Sequence, residues 1–261
     1  MSLKNRAVPL DLREKCRGKR ILYIGDIHGC FEEFQELLKL FDWKMNGDIL
    51  VLTGDLLDRG PKIYQLVNFV RYIENIYCAE GNHENRIKRW LKGNPVHIGK
   101  THQRTIDCFD FELGCPRRKK ELLEWFESLP PMIRTHDEIY VVHAGINPIM
   151  PITAQTVDDC LWKRYADAAG NMHWWQWNRG PDAPWILFGH NVQPHHDVGG
   201  RAYALDGGCV YGGELRGVEV HPDGSFGRVM SVKAKQVYYE PKRIAQEEGY
   251  IHERIKKGEA P

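Results

Sequence analysis

The sequence predicts an α/β fold built around parallel strands. Three short apolar runs point there: Ile21-Leu22-Tyr23-Ile24, Ile49-Leu50-Val51-Leu52 and Ile76-Tyr77-Cys78-Ala79. The stretches between them carry apolar residues at helical spacing. Each run also stops at a glycine-containing segment bearing Asp, His or Asn. Strands alternating with helices imply right-handed crossovers and a parallel sheet. Neighbouring strand ends of an open parallel sheet share one crevice, and ligands bind there.

In chain order, residues 1–20 are polar and basic and read as a loosely held lead-in. After the first strand, Phe31, Phe34, Leu37, Leu38 and Phe41 mark one helix. Tyr64, Val67, Phe69 and Val70 mark a second, opened by Pro61, a residue suited to a first helical turn. Residues 97–128 are polar and then helical through Leu122, Leu123, Trp125 and Phe126, and read as an inserted cap. Ile139-Tyr140-Val141-Val142 predicts a strand ending at His143. Residues 150–183 show no clear period. Trp185–Phe188 predicts a strand ending in Gly189-His190. Segments 201–206, 216–220 and 228–232 read as short strands of a second sheet portion. No repeat or low-complexity linker divides the chain. The reading is therefore one domain over 21–235 and a charged tail over 236–261.

The chain has 261 residues, 42% hydrophobic and 27% charged, enough for one sizeable core. Its 36 Lys and Arg nearly balance 35 Asp and Glu. No global field therefore draws it to nucleic acid or to a membrane surface. Seven cysteines at scattered spacing fit reduced thiols rather than a disulfide framework. No apolar run approaches the about 18 residues of a membrane span. The polar N-terminus lacks a signal-peptide apolar core. The expected location is cytoplasmic.

The chemistry lies at the strand ends. Asp26 and His28 are two apart, and on an extended segment such residues point the same way. Asp55 follows the second strand and, with two carboxylate oxygens, can bridge two ions. Asn82 offers a carbonyl oxygen, and His143 and His190 offer imidazole nitrogens. Oxygen and imidazole ligands gathered at adjacent strand ends suit a hydrolytic metal centre. Two close cations would acidify a bridging water.

The segments Gly25–Gly29, Gly54–Gly60, Gly81–Glu84, His143-Ala144-Gly145 and Gly189-His190 together resemble the signature set of the phosphoprotein phosphatase family of calcineurin-like metallophosphoesterases. The likeness spans about 21–213. It is strongest to small bacterial enzymes described as diadenosine tetraphosphatases or serine/threonine protein phosphatases, through Gly81–Val96 and Asp206–Gly213. The resemblance implies a four-layer fold, a β-sandwich flanked by helices, with a centre of two divalent metal ions at one edge. It assigns Asp26, His28 and Asp55 to the first ion, and Asp55, Asn82, His143 and His190 to the second. Mn²⁺ is the expected activator, with Fe, Zn, Co, Ni and Ca as alternatives. Broader metallophosphoesterases end in Gly-His-x-His. Here Val192 takes the last place, as in the phosphoprotein phosphatase branch, and His195 and His196 are expected at the surface.

The same resemblance makes His83 the general acid and Asp58 the carboxylate that holds it. Arg59 then grips a phosphate oxygen with its planar fork, beside Asn82. A second phosphate-binding arginine is expected at Arg164, in Leu161-Trp162-Lys163-Arg164, with Arg179 as rival.

Other features carry less. Trp174-Trp175-Gln176-Trp177 could stack a nucleobase but is expected to pack under the cap. Arg117-Arg118-Lys119-Lys120 reads as a solvated helix start, and Cys30 as small-residue packing beside the metal loop. The expected function is a dinuclear-metal phosphohydrolase, a symmetrical dinucleoside tetraphosphatase or a protein phosphatase. Its substrate would be a dinucleoside polyphosphate or a phosphoprotein. A nucleic-acid end-processing phosphatase is an alternative that the neutral net charge disfavours. A non-catalytic partner-binding scaffold is another, disfavoured because such a protein would be expected to have lost ligands.

Overall fold

The structure, a computed structural model, describes residues 5–109, 116–166, 172–178 and 180–240. Among these residues the chain runs β1 (Leu10–Asp11), α1 (Arg13–Cys16), β2 (Ile21–Ile24), α2 (Phe31–Leu40), β3 (Ile49–Leu52), α3 (Ile63–Tyr72), β4 (Ile76–Cys78) and α4 (Asn82–Leu91). It continues through α5 (Lys100–Phe109), α6 (Pro116–Ser128), β5 (Met132–Arg134), β6 (Ile139–Val142), α7 (Val157–Trp162) and β7 (Trp185–Phe188). It closes with β8 (Ala202–Ala204), β9 (Asp206–Gly207), β10 (Glu214–Val220) and β11 (Phe226–Lys233). Short 3₁₀ turns lie at Ile152–Ala154, Trp174–Gln176 and Cys209–Tyr211.

Two sheets form, but the segments expected to make a second sheet portion divide between them: β8 joins the second sheet, while β10 and β11 join the sheet of β2, β3 and β4. The first has the order β11-β10-β2-β3-β4, with β2, β3 and β4 parallel and β10 antiparallel to β2 and β11. The second has the order β1-β5-β6-β7-β8, with β6, β7 and β8 parallel and β5 antiparallel to β6.

Strand alternation explains the layers. Successive side chains point to opposite faces, so a fully apolar strand has two faces to bury. Ile21, Tyr23, Ile49 and Val51 face Ile133, Val141 and Leu187 of the other sheet. Tyr23 Oη, buried at this interface, shares a 2.6 Å hydrogen bond with Thr135 Oγ1. Leu22, Ile24, Leu50 and Leu52 point the other way, onto Phe34 and Leu37 of α2 and Leu66 and Val67 of α3. Ile106 and Phe109 of α5 and Leu122 and Phe126 of α6 join that cluster, so the 97–128 helices extend the same helical layer. Tyr140, Val142, Ile186 and Phe188 cover the outer face of the second sheet with Cys160, Trp174 and Trp175. The result is helices, sheet, sheet and short helices, the four-layer β-sandwich that the resemblance implies.

Three details depart from the sequence reading. Residues 7–16 are anchored rather than loose: Leu10 and Asp11 pair with β5, and Ala7, Leu12 and Cys16 are buried. The tryptophan cluster packs on the far sheet, not under the cap, because Trp174 Nε1 donates to Ala144 O at 3.1 Å and its ring meets Phe188 edge-on. His28, the second site residue, does not lie on extended backbone, as described below.

Candidate metal centre

The ends of β2, β3 and β4 meet those of β6 and β7 at one edge of the sandwich. Asp26, His28, Asp55, Asn82, His143 and His190 all converge there. His28 has a φ of 45°, in the left-handed region, so the chain turns at His28 and alternation does not orient it. Asp55 (φ 51°), Asp58 (68°), Arg59 (64°) and His190 (61°) share that conformation. Such backbone is costly for residues with a Cβ and persists where surrounding contacts over-determine it.

Those contacts can be named. The buried Glu84 carboxylate, in the first turn of α4, accepts N–H groups from Asp55 (2.8 Å), Leu56 (2.9 Å), Leu57 (3.2 Å) and Gly81 (3.1 Å). Burial lifts its pKa to about 7 against the pull of those donors. Glycine at 81 is required because a Cβ there would collide with Asp55 and Glu84. A Cβ at Gly189 would collide with Asp26.

Each candidate ligand is oriented by a second contact. Asp26 accepts from Thr53 Oγ1 at 2.9 Å and from the His190 backbone at 2.8 Å. His28 Nδ1 donates to Leu57 O at 2.6 Å, and His143 Nδ1 donates to Thr53 O at 3.1 Å. A carbonyl can only accept, so Nε2 of both rings carries the lone pair. Asp55 Oδ1 accepts the His83 backbone N–H at 3.1 Å. Its Oδ2 is then turned to the centre, 3.5 Å from His28 Nε2, 3.5 Å from His143 Nε2 and 3.8 Å from His83 Nε2.

This donor set fits cations. His143 Nε2, a lone-pair atom, lies 2.7 Å from Asn82 Oδ1 and 3.2 Å from His190 Nδ1. His190 Nε2 is buried with no hydrogen-bond partner. Acceptors converge in two clusters, one of His28, Asp55 and His83 and one of Asp55, His143 and His190. Asp55 is common to both. Burial pushes the Asp26 and Asp55 carboxyls well above the usual carboxylate range, with Asp206 adding to the effect at Asp26 and Glu84 at Asp55. Burial likewise holds His28, His143 and His190 neutral. Neutral imidazole is the ligating form, and bound cations reverse the carboxylate shifts.

His83 and Asp58 form the expected pair: His83 Nδ1 bonds Asp58 Oδ2. Asp58 is completely buried. Arg59 donates from a guanidinium nitrogen to His28 Nε2 at 2.5 Å, and its guanidinium lies 5.5 Å over the Tyr211 ring. Its Nε is buried without a partner. Arg164 follows α7, close enough for its charge to act on His143, His190 and Asp206. Trp162 of the same segment packs edge-on against His190 at 6.2 Å. Arg179 lies outside the described residues. Val192 and His195 are exposed, and His196 stacks on Tyr203.

Sequence reasoning missed several groups at this edge. Thr53 orients both Asp26 and His143. Asp206, in β9 paired to β10 of the first sheet, adds a further buried carboxylate. His102 and Thr105 come from α5 and meet Asp58. The one available signal was the polar face of α5, too generic to read.

The calcineurin-like phosphoesterase family model matches residues 19–221. The chain is 30% identical to the bis(5'-nucleosyl)-tetraphosphatase PrpE (asymmetrical) of Bacillus subtilis strain 168, over 74% of this chain and 88% of that protein. It is 28% identical to the symmetrical bis(5'-nucleosyl)-tetraphosphatase of Nitrosococcus oceani, over 75% of this chain and 91% of that protein. A crystal structure of a protein provisionally designated a diadenosine tetraphosphatase superposes with a TM-score of 0.70 at 25% identity, covering 87% of this chain and 98% of the other. With its two-sheet fold and its clustered histidines and aspartates, the chain belongs to the calcineurin-like phosphoesterases and is a metal-dependent hydrolase.

Proposed function

We propose that the protein is a dinuclear phosphohydrolase that cleaves bis(5'-nucleosyl) tetraphosphates. The observation that carries the dinuclear reading is Asp55 Oδ2, held 3.5 Å from a lone-pair nitrogen on either side. Asp26, His28 and Asp55 would hold one ion and Asp55, Asn82, His143 and His190 the other. Bound there, divalent cations, Mn²⁺ foremost, neutralise phosphoryl charge and acidify water. The substrate class follows the relatives, which include both asymmetrical and symmetrical tetraphosphatases.

The chain's own residues do the rest. Arg59 and Arg164 clamp phosphoryl oxygens, and Asn82 borders the same space. Burial, first, and the nearby Arg59 charge keep His83 neutral in the free protein. A phosphate beside Nε2 supplies the negative charge that favours the protonated ring. His83, held by Asp58, then gives its Nε2 proton to the leaving oxygen. Residues 21–235 would form the catalytic unit, with α5 and α6 as its cap and 236–261 as a tail. Among the described residues no helix is long and apolar enough to cross a membrane. The six described cysteines are free thiols, which fits a reducing cytoplasm.

The test is product analysis with diadenosine tetraphosphate beside phosphopeptides and 2',3'-phosphorylated oligonucleotides. ADP alone assigns symmetrical cleavage, and ATP with AMP assigns asymmetrical cleavage. A kcat/KM higher on phosphopeptides or oligonucleotides would overturn the substrate reading and leave the phosphohydrolase standing.

A further inference from the structure

Two consecutive non-glycine residues, Asp58 and Arg59, stand in left-handed backbone. Besides the contacts with His83 and His28, they are held by α5. Thr105 Oγ1 donates to Asp58 Oδ1 and accepts the Asp58 backbone N–H at 3.0 Å. Arg104, one residue away, donates to Arg59 O at 2.7 Å. His102, one turn before Ile106, stacks on His83 with centroids 5.4 Å apart and an interplanar angle of 19°. Its Nδ1 accepts the Gly99 N–H at 3.3 Å, so its proton sits on Nε2, which faces Asp58 Oδ2 at 3.6 Å. Asp58, His83, His102 and Thr105 are all buried.

We infer that α5 is a positioning element for proton delivery, with Thr105 and His102 fixing the Asp58 carboxylate and, through it, the His83 ring. The inference rests on the reading of His83 as general acid. Asp58 Oδ2 can hold His83 in one orientation only if its own rotation is blocked. Thr105 blocks it by gripping both the carboxylate and the backbone of the same residue. The stacked His102 ring limits tilt of His83, and its Nε2–H turns its positive end toward the carboxylate at 3.6 Å, a dipolar contact longer than a hydrogen bond. Partners of this outer kind commonly change activity strongly when removed. α5 thereby contributes to the rate of the chemical step as well as packing the helical layer.

The experiment is a leaving-group series of aryl phosphates, from p-nitrophenyl to phenyl, with Mn²⁺-loaded protein. A weakened acid is felt most by the poorer leaving group. Thr105→Val removes the hydroxyl at similar volume. Its phenyl-to-p-nitrophenyl ratio of kcat is expected to fall roughly tenfold, the size of one lost hydrogen bond to a charged group. Thr105→Ser should restore the ratio, and metal stoichiometry should not change. His102→Phe keeps the stack and deletes the N–H. It should lower the ratio in the same direction, and it carries the test if Thr105→Val does not fold. Equal losses on all esters, or loss of metal, would show a merely structural contact and overturn the inference. His83→Ala separates the two layers. If it changes the ratio while the α5 variants do not, the inference fails and the acid stands. If His83→Ala leaves the ratio unchanged, the acid reading fails and takes this inference with it.

Discussion

His83 Nδ1 bonds Asp58 Oδ2, and this leaves His83 Nε2 aimed inward, 3.8 Å from Asp55 Oδ2. The ring therefore borders the candidate metal centre, and the proposed ligand set does not include it. His83→Ala should keep its metals and slow turnover by roughly 10²–10⁴-fold, the usual size of acid catalysis. The loss should be smaller on p-nitrophenyl phosphate, whose leaving group needs little protonation. Equal losses on good and poor leaving groups would remove His83 from the role.

Arg59 is expected to bind phosphate through a planar pair of donors. Arg59→Ala should raise the inhibition constant of inorganic phosphate and lower kcat/KM, with metal content unchanged. Arg59→Lys should recover only part of the loss, because a point charge lacks the second donor. Full recovery with Lys would show that charge alone matters. Arg164→Ala should act in the same direction. Full activity in Arg164→Ala with loss in Arg179→Ala would move the second phosphate contact to Arg179.

Gly189→Ala tests the packing of the centre. A methyl there meets the Asp26 carboxylate, which is fixed by Thr53 and by the His190 backbone. The variant should fold, since the outer helical layer is untouched, yet bind metal more weakly in titration calorimetry. Affinity equal to the parent would show that Asp26 is not a ligand.

Away from the site, stability should respond to acid through Glu219. Hydrogen bonds from Arg228, at 2.8 and 3.2 Å, hold its carboxyl down at about 2. A depressed folded-state pKa gives stability that is present above the unfolded value and lost as pH falls through the folded one. Glu219→Gln should therefore lower Tm at pH 7 and lower it progressively less between about pH 4.5 and 2. A Tm difference independent of pH across that window would assign the effect to packing.

The sequence made the strand-end residues legible because a strand that stops at Asp, His or Asn beside glycine leaves a local mark. Ile21–Ile24, Ile49–Leu52, Ile139–Val142 and Trp185–Phe188 are strands as read. Leu10–Asp11 and Met132–Arg134 were not legible, because strands of two and three residues carry no measurable period. A second sheet portion was legible as short strands after residue 200, but not which sheet each strand joins: β10 pairs with β2 and β11 with β10, and of these strands only β8 pairs with β7. Fully apolar strands show two buried faces but not what covers them, and only the resemblance supplied a sandwich. Thr105 and His102 escaped for a different reason. Their partner Asp58 is far away in sequence, and nothing local distinguishes a buried threonine on α5 from a solvated one. The left-handed backbone at Asp58-Arg59 escaped too, since neither residue advertises positive φ as glycine does.

The central claim is that Asp55 joins two cation sites. The most direct measurement is metal stoichiometry by mass spectrometry of the intact chain and of Asp55→Asn, each after Mn²⁺ loading, paired with phosphate release. The expected result is two ions per chain in the parent, one or fewer in the variant, and activity lost together with the ions. Two ions retained by Asp55→Asn, or parent activity that survives exhaustive chelation, would contradict it.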